Sequence, residues 1–512
     1  MIKKLIDTLE PRRLLSVSVG TDGWTNLGAS SDSRMIHVSS SGGNDSNPGT
    51  LAKPIKSLAK ARTLVRDKMP DWVLLKRGDT FNESFPDWVV SGRSASEMSV
   101  ITAYGTGARP KVFTGSNGGI TIAQKYSNPV NHVAVVGLHF HANTYNGSNG
   151  TFKTAGIRVM RKGSNVLIED NFIQGYKDNI VIDPDGALTG VKIRRNVIVD
   201  AFNAQKVGNG HAQGIYGGPN AKGTTIEENI LDHNGWKPGV AKAGPTMFNH
   251  SIYFNTGSSG LVVRNNIITR SSLRGVLARG GAVVENNVFA RNPVAVQVGN
   301  GSSTVQNNVI LEGNDLTGQQ QLGKGIEAFS MTQLLARNNV IAHEATAGTH
   351  NNIGVNIQSG VRGGQIKDNV IYKWNFGIKN AGSGFSVTGN KFTQSASGFS
   401  DPNRLLDKYN SSIGRANSFD SFIGAARQQA RGAWDARYTA KPVASYVRAG
   451  FNAGTVAGTS ARGAVAAPSP VAAPEMALPV SSTVRHATDG GPATLTDGKS
   501  IWSEQQIESA AV

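Results

Sequence analysis

The chain has 512 residues and no cysteine, which excludes disulfide bonds, thiol catalysis and thiolate metal sites. Lysine and arginine number 52 against 35 aspartate and glutamate, and the formal charge of +17 favours polyanionic partners. Acidic glycans and nucleic acids both qualify, but there is no zinc-ligand spacing, basic helix or aromatic single-strand signature for nucleic acid. We therefore expect an acidic polysaccharide as the partner and no nucleic acid.

Residues 1–33 form a basic leader. Met1 to Gly20 begin with lysines but contain no apolar run of the length that a secretory signal peptide needs. Residues Leu9–Ser16, with the sequence LEPRRLLS, nevertheless resemble the LEPR-XLL motif of large exported proteins from environmental bacteria. The resemblance implies a secreted or cell-surface protein. No other segment has the apolar length of a membrane span, so we expect no such span.

An amphipathic segment at Ile55–Val65 predicts a short helix. We expect this helix to cap the first turn of the repeat region that follows, because an open strand edge would otherwise pair with other chains.

One pattern recurs along the middle of the chain: apolar residue, two variable residues, asparagine, one variable residue, apolar residue. Successive asparagines lie between 21 residues (Asn266 to Asn287) and 37 residues (Asn229 to Asn266) apart, whereas the pattern itself keeps its length. Constant strands joined by variable loops are therefore predicted. An inward asparagine at a tight bend satisfies buried backbone groups, so we assign these residues a structural role. They are Asn171, Asn196, Asn229, Asn266, Asn287, Asn308, Asn339, Asn369 and Asn390.

A second strand recurs in each repeat, as in Gly214–Gly218 and Ser251–Asn255. Its second position is almost always isoleucine or valine and is predicted to face the core. Side chains alternate along a strand, so the third position faces outward. The predicted outward column is Arg158, Tyr216, Tyr253, Gln297, Glu327, Asn356 and Lys379.

These rungs, together with the opening Val38–Thr50, resemble the pectate-lyase-like superfamily over residues 34–400. The resemblance implies an all-β fold, a right-handed single-stranded parallel β-helix of the pectin-lyase-like solenoid type. Mixed helical patches in residues 401–451, such as Phe422 to Trp434, predict a segment that caps the C-terminal end. Residues 452–512 are rich in alanine, glycine, proline and serine and predict a flexible, disordered tail.

Three adjacent rungs carry outward polar residues: His211–Tyr216, Asn249–Tyr253 and Arg274–Arg279. Lysis of a uronate polymer needs a cation at the carboxylate, a base for the neighbouring proton and an acid for the departing oxygen. The candidates are Arg274 or Arg279 as the cation, His250 or alternatively His211 as the base, and Tyr216 or Tyr253 as the acid.

Further residues are expected to bind substrate beside this patch. Gln213 and Asn249 belong to the same rungs, and the long loops around Asn229 add His233, Trp236 and Lys237 as a possible wall of a cleft. Trp236 is expected to stack on a sugar ring.

Alternatives remain beside each assignment. A lone outward histidine or tyrosine on a strand is usually ordinary surface. The string Asp183–Gly186 matches a calcium ligand set but also a common turn, which we favour, so calcium stays open as a cofactor and no metal ligand is assigned. His139 and His141 have metal-like spacing but lack a third ligand, so we expect surface histidines.

The expected function is that of an extracellular protein acting on an acidic, uronate-containing polysaccharide. The clustered calcium-binding aspartates of pectate lyases and the paired aspartates of polygalacturonase-like hydrolases are not found, which favours a lyase or a uronate C5-epimerase over a hydrolase. The alternative is a non-catalytic cell-surface β-helix that binds anionic glycan or serves adhesion.

Overall fold

The computed structural model describes residues 18–124, 128–148, 154–204, 211–313, 323–343, 352–393, 395 and 397–454. The LEPR-XLL-like motif and residues 455–512, most of the expected tail, lie outside the described residues.

The described chain winds into a coil whose three walls are parallel β-sheets, here called sheets A, B and C. Sheet A comprises Met35–Val38, Trp72–Lys76, Ser99–Tyr104, Val130–Val136, Gly163–Glu169, Leu188–Thr189, Lys192–Arg194, Ala221–Lys222, Thr225–Glu227, Leu261–Arg264, Ala282–Glu285, Ser302–Gln306, Gln333–Arg337, Arg362–Lys367 and Ser383–Thr388. Sheet B comprises Thr80–Phe81, Lys111–Phe113, His139–His141, Phe172–Gln174, Val197–Val199, Ile230–Asp232, Ile267–Thr269, Val288–Ala290, Val309–Leu311, Val340–Ala342, Val370–Tyr372 and Lys391–Thr393. Sheet C comprises Ile120–Ile122, Ala155–Val159, Asp178–Ile182, Gln213–Gly217, His250–Phe254, Arg274–Ala278, Val294–Gly299, Lys324–Phe329, Ile353–Ile357 and Phe376–Asn380.

From Ser99 onward, each turn passes from sheet A to sheet B to sheet C, and the next turn pairs with it in parallel. The fold is a right-handed parallel β-helix, as the repeat predicts. Its interior is one continuous apolar core in which residues such as Ile215, Ile252 and Val276 are fully buried. The prediction that the second position of this recurring strand faces the core is therefore confirmed.

The asparagines of the repeat form an unbroken ladder at the corner between sheets A and B, as predicted. Asn287 is typical: its side-chain oxygen accepts from the backbone N–H and the amide of Asn266, both at 2.9 Å. Its own amide donates to the carbonyl of Val263 at 2.9 Å and to the side-chain oxygen of Asn308 at 3.0 Å. The ladder thus supplies hydrogen bonds where the chain turns between two strands and the sheet ladders are interrupted.

The predicted N-terminal helix is present as α1, Leu58–Leu64. The Ser57 hydroxyl accepts a hydrogen bond from the backbone of Lys60 and begins the helix. Leu58 and Ala61 are buried in the same core as the first strand of sheet A. α1 therefore covers apolar surface at the N-terminal end of the coil.

The expected C-terminal cap takes a different position. Residues 401–454 contain α2 (Leu406–Ser412), α3 (Phe419–Ala426), α4 (Ala440–Gly450) and the 3-10 turns Arg431–Ala433 and Ala436–Tyr438. Their apolar residues pack on the outer face of sheet B, against a row that runs from Val197 to Tyr372. This segment, here called the C-terminal arm, therefore lies along a wall of the coil, where most outward residues of sheet B are aliphatic and Asp232 pairs with Arg427 of the arm.

The described part of the expected leader also packs on the coil. The backbone N–H of Thr25 donates to the carboxylate of Glu169 at 3.2 Å. Trp24 contacts Trp434 of the C-terminal arm edge to face, with ring centroids 5.2 Å apart. The guanidinium of Arg195 lies 4.5 Å from the Trp24 ring and 5.0 Å from the Trp434 ring. No helix in the described part of the chain is long and apolar enough to cross a membrane.

We predict that Asn287→Ala lowers the free energy of unfolding by roughly 3 kcal/mol, because it leaves buried backbone groups without partners. Urea denaturation followed by circular dichroism measures the change. Asn403→Ala, at an exposed position of the C-terminal arm, is the matched control and should change stability little. Equal effects of the two substitutions would contradict a structural ladder.

Acid should destabilise the coil through His343, which is 2% exposed and packs against Trp374. Burial lowers the pKa of His343 from 6.5 to about 4, so the folded chain resists a proton that the unfolded chain accepts. Its contribution is complete above pH 6.5 and is lost as pH falls toward about 4, with a total on the order of 3 kcal/mol. In His343→Leu the free energy of unfolding should fall less steeply over this range; an unchanged slope would refute the assignment.

Candidate active site on sheet C

The three predicted rungs are adjacent strands of sheet C, in the predicted register. Gln213 pairs with His250, and His250 pairs with Arg274, which gives the first column. Tyr216 pairs with Tyr253 in the second column, the predicted outward column. It continues through Leu277, which was not predicted, to Gln297, Glu327, Asn356 and Lys379. Neighbouring strands lie about 4.8 Å apart, so residues distant in sequence become neighbours.

His250 lies at the centre of the first column and is 3% exposed. Burial, with Arg274 and His211 nearby, holds the pKa of His250 well below 6.5, so the imidazole is neutral at neutral pH. Its Nδ1 accepts a hydrogen bond of 3.4 Å from the backbone N–H of Arg274. This contact favours the tautomer with the proton on Nε2, which makes His250 a hydrogen-bond donor at that atom.

His211 is the second imidazole of the site and is only partly buried. Its ring is parallel to that of Phe248, with centroids 5.3 Å apart. Burial and the nearby Lys177 lower the pKa of His211 below 6.5. A neutral, partly exposed imidazole is suited to accept a proton from a substrate.

Arg274 is the cation that the structure places beside His250. Its Nη1 donates to the carbonyl of Met247 at 3.3 Å, which holds the guanidinium over the start of the strand. Arg279 follows the other end of the same strand, about 16 Å along extended backbone from Arg274. Of the two candidate charge stabilisers, Arg274 therefore shares a site with the histidines and Arg279 does not.

The two tyrosines contact each other and the first column. The ring of Tyr253 lies 5.6 Å from the ring of Tyr216 and 5.6 Å from that of His250. The Tyr253 hydroxyl is buried and has no hydrogen-bond partner among the described residues. Burial raises the pKa of Tyr216 to about 12. Tyr216 is therefore a neutral proton donor at neutral pH, and the Tyr253 hydroxyl is a donor whose partner a ligand would supply.

Gln213 connects the strands of the first column. Its side-chain oxygen accepts from the backbone N–H of His250 at 2.8 Å, and its amide donates to the carbonyl of Phe248 at 3.0 Å. Gln213 is 2% exposed. It therefore positions His250, whereas the sequence predicts it to bind substrate.

Asp178, which is not among the residues predicted from the sequence, extends the first column by one strand. It pairs in register with Gln213, and its carboxylate accepts from the Gln213 backbone N–H at 2.9 Å. Burial raises the pKa of Asp178 even though the Lys177 ammonium lies 3.5 Å from its carboxylate. Continuing the column from Gln213 to the preceding strand would have identified Asp178, since it stands at the equivalent position.

Glu327 is a second acidic group on this face and lies in the predicted outward column. Its carboxylate accepts from Gln297 at 2.7 Å and from Asn356 at 2.8 Å, and it is ion-paired with Lys324. The pKa of Glu327 is lowered, because these donors and Arg274 outweigh its burial. Glu327 is therefore charged and fully hydrogen-bonded.

Asn249 and the loop residues lie elsewhere than expected. The Asn249 side chain accepts from the backbone of Ala212 at 2.9 Å and donates to the carbonyl of Gly235 at 2.6 Å, so both ends of its amide are used. The residues expected to wall the cleft lie near the corner between sheets B and C: the Trp236 indole donates to the carbonyl of Arg270, and the His233 imidazole contacts the Asp200 carboxylate. The Lys237 ammonium lies 4.3 Å from the Phe202 ring.

The Asp185 carboxylate is paired with Arg161 at 2.5 Å, which supports the turn interpretation of Asp183–Gly186. Among the described residues, no group of three or more histidine, aspartate or glutamate side chains could hold a metal ion.

No protein-family profile and no curated protein matches the sequence. Among solved structures, the chain is similar to the pectate lyase Pel9A, with 14% identity, a TM-score of 0.44, and coverage of 77% of this chain and 87% of the lyase. A mannuronan C-5 epimerase module from Azotobacter vinelandii gives 12% identity, a TM-score of 0.45 and coverage of 70% and 89%. The Streptococcus pneumoniae surface protein and adhesin PfbA gives 13% identity, a TM-score of 0.44, and coverage of 63% of this chain and 89% of the adhesin. These similarities do not select an activity, and the parallel β-helix itself rests on the strand pairing.

Proposed function

We propose that the chain is an extracellular enzyme that cleaves or epimerises an acidic, uronate-containing polysaccharide at the outer face of sheet C. The observation that carries the proposal is the convergence of Arg274, two neutral imidazoles and two tyrosines from three consecutive turns. The net charge of +17 draws an anionic polymer toward the surface. The LEPR-XLL-like motif supports an extracellular or cell-surface location.

In the proposed reaction, the Arg274 guanidinium pairs with the substrate carboxylate and stabilises the charge that develops when the neighbouring C5 proton leaves. His211 accepts this proton, since its pKa is lowered and its side chain is partly exposed. The Nε2–H of His250 donates a hydrogen bond to the same developing anion.

The second half of the reaction decides between a lyase and an epimerase. In β-elimination the C4–O bond breaks, a C4–C5 double bond forms, and a tyrosine hydroxyl protonates the departing oxygen. In epimerisation the C4–O bond stays intact and the opposite face of C5 receives a proton. Tyr216, which is partly exposed, is the proton donor of the proposal, and Tyr253, whose ring contacts that of His250, is its alternate.

The second candidate is a non-catalytic β-helix that binds anionic glycan at a cell surface. Burial favours it, because His250 is 3% and Tyr253 4% exposed, and a polymer reaches neither side chain unless its neighbours move.

Incubation with alginate, pectate and glycosaminoglycans, with and without calcium, tests both candidates. Ultraviolet absorbance detects unsaturated uronate products, and nuclear magnetic resonance of the polymer detects epimerisation. We expect Arg274→Lys, His211→Asn and His250→Gln each to lower turnover roughly 100-fold or more. The controls are His132→Asn and Arg337→Lys on sheet A, which should retain turnover. Binding without any turnover would leave the glycan-binding β-helix, and full activity of the three site variants would remove the site.

The pH profile tests the base separately. Because the pKa of His211 is lowered from 6.5, its neutral form persists on the acid side of that value. We expect kcat/KM to stay constant as pH falls through 6.5 and to decrease only at lower pH. A decrease centred at or above pH 6.5 would show that another group accepts the proton.

A further inference from the structure

The outer face of sheet B carries different residue types on the turns that the C-terminal arm does not cover. Under the arm, the outward residues Val197, Ile267 and Val309 are buried to 0% exposure. The arm passes Asp170, whose carboxylate accepts from the backbone of Arg431 at 2.9 Å. On the turns before that point the same outward positions are only partly buried, and they carry aromatic rings, imidazoles and a lysine instead of aliphatic residues.

Four rings form this surface, here called the aromatic platform: Phe113, His139, His141 and Phe172. The two imidazoles are parallel within 6°, with centroids 6.0 Å apart. Phe113 is perpendicular to both, at 6.1 Å and 5.4 Å, and Phe172 contacts His139 at 4.7 Å. The platform spans three strands, roughly 10 Å, about the length of two sugar residues in an extended polymer.

Cations border the platform. Lys111 is exposed and precedes His139 in its register column, with its ammonium 5.8 Å from the Phe113 ring. Lys237 is close enough to contribute to the lowered pKa of His141, after burial. Burial lowers the pKa of His139 to about 4, and that of His141 is also lowered, so both imidazoles are uncharged at neutral pH. The other charged groups near them, Arg109 and Asp200, are ion-paired with Asp170 and Arg427, which leaves Lys111 and Lys237 as the cations for a ligand.

We propose that the aromatic platform is a second glycan-binding site, which takes pyranose residues that carry carboxylates. The C–H faces of a pyranose ring pack on aromatic and neutral imidazole rings, and the carboxylates pair with Lys111 and Lys237. The sequence predicts that Lys237 binds substrate beside the patch around His250, whereas the structure places it beside His141. This site rests on the proposed function only for the class of polymer, since it lies on a different sheet from the candidate active site.

The experiment measures binding to the full chain without any need for turnover. Isothermal titration calorimetry with a galacturonate tetramer gives affinity, and histidine-selective isotope labelling follows the imidazole resonances. We expect signals assigned through His139→Gln and His141→Gln to shift on titration, while that of His132 does not. Phe113→Ala and Lys111→Ala should each weaken binding at this site about 5- to 10-fold.

Lys391→Ala is the matched control, because Lys391 occupies the same register column at the far end of sheet B, away from the aromatic rings. It should bind as the wild type does. His141→Gln serves as a second platform variant if thermal unfolding shows that Phe113→Ala is misfolded.

Several outcomes would overturn the proposal. Imidazole shifts confined to His211 and His250 would assign all binding to sheet C. Equal binding of a neutral xylose or glucose tetramer would show that the ligand need not be acidic, and tighter binding of a single-stranded oligonucleotide would indicate nucleic acid.

The result of the polysaccharide assay is independent of these outcomes. Absence of turnover in that assay, with platform shifts retained, would refute only the catalytic proposal.

Discussion

Hydrogen bonding between successive turns is the constraint on which the rest of this molecule depends. A single turn has too little apolar surface to be stable alone, and its backbone groups are satisfied only by the turns before and after it. At the corner between sheets A and B the strands are interrupted, and asparagine amides continue the pairing from Asn171 to Asn390. The corner therefore keeps its length, and variation in chain length is confined to the other connections.

This register also determines how a site arises on the outside. Gln213, His250 and Arg274 are separated by 37 and 24 residues in sequence, yet they stand in one column because their core neighbours Ile215, Ile252 and Val276 are paired. An outward residue can change without disturbing the core, since alternation along the strand separates the two faces. The same logic explains sheet B, where mostly aliphatic outward residues contact the C-terminal arm and the aromatic platform lies on earlier turns.

The sequence predicts those parts of the structure that repeat. Strand positions, the asparagine ladder and the column of Tyr216 and Tyr253 follow from a period and from alternation. The outward position of Gln213, His250 and Arg274 does not, because each lies two residues before a core residue and the pairing skips the residue between them. The position of the C-terminal arm does not follow from period and alternation either, although strands such as Val197–Val199 and Val309–Leu311, apolar on both faces, indicate that something covers sheet B. The sequence predicts Asn249 to bind substrate, but its side-chain amide is hydrogen-bonded to the backbone of Gly235 and Ala212, and these loop contacts are not predictable from the repeat. Loops have no repeat, so the places of His233, Trp236 and Lys237 depend on tertiary contacts.

The first column of sheet C has an acidic residue at one end and basic residues towards the other. Asp178 stands at one end, His250 in the middle, and Arg274 and Lys324 follow on later turns. Neutral imidazole and phenol groups cost less to bury than charges, which is consistent with full burial of His250 and Tyr253, whereas Lys324 is buried together with its partner Glu327. A substrate carboxylate is attracted to Arg274 and repelled from the Asp178 end when Asp178 is ionised. Under the proposed function, an acidic polymer would therefore bind with its carboxylates over the turns that carry the cations and its reacting carbon beside the two histidines.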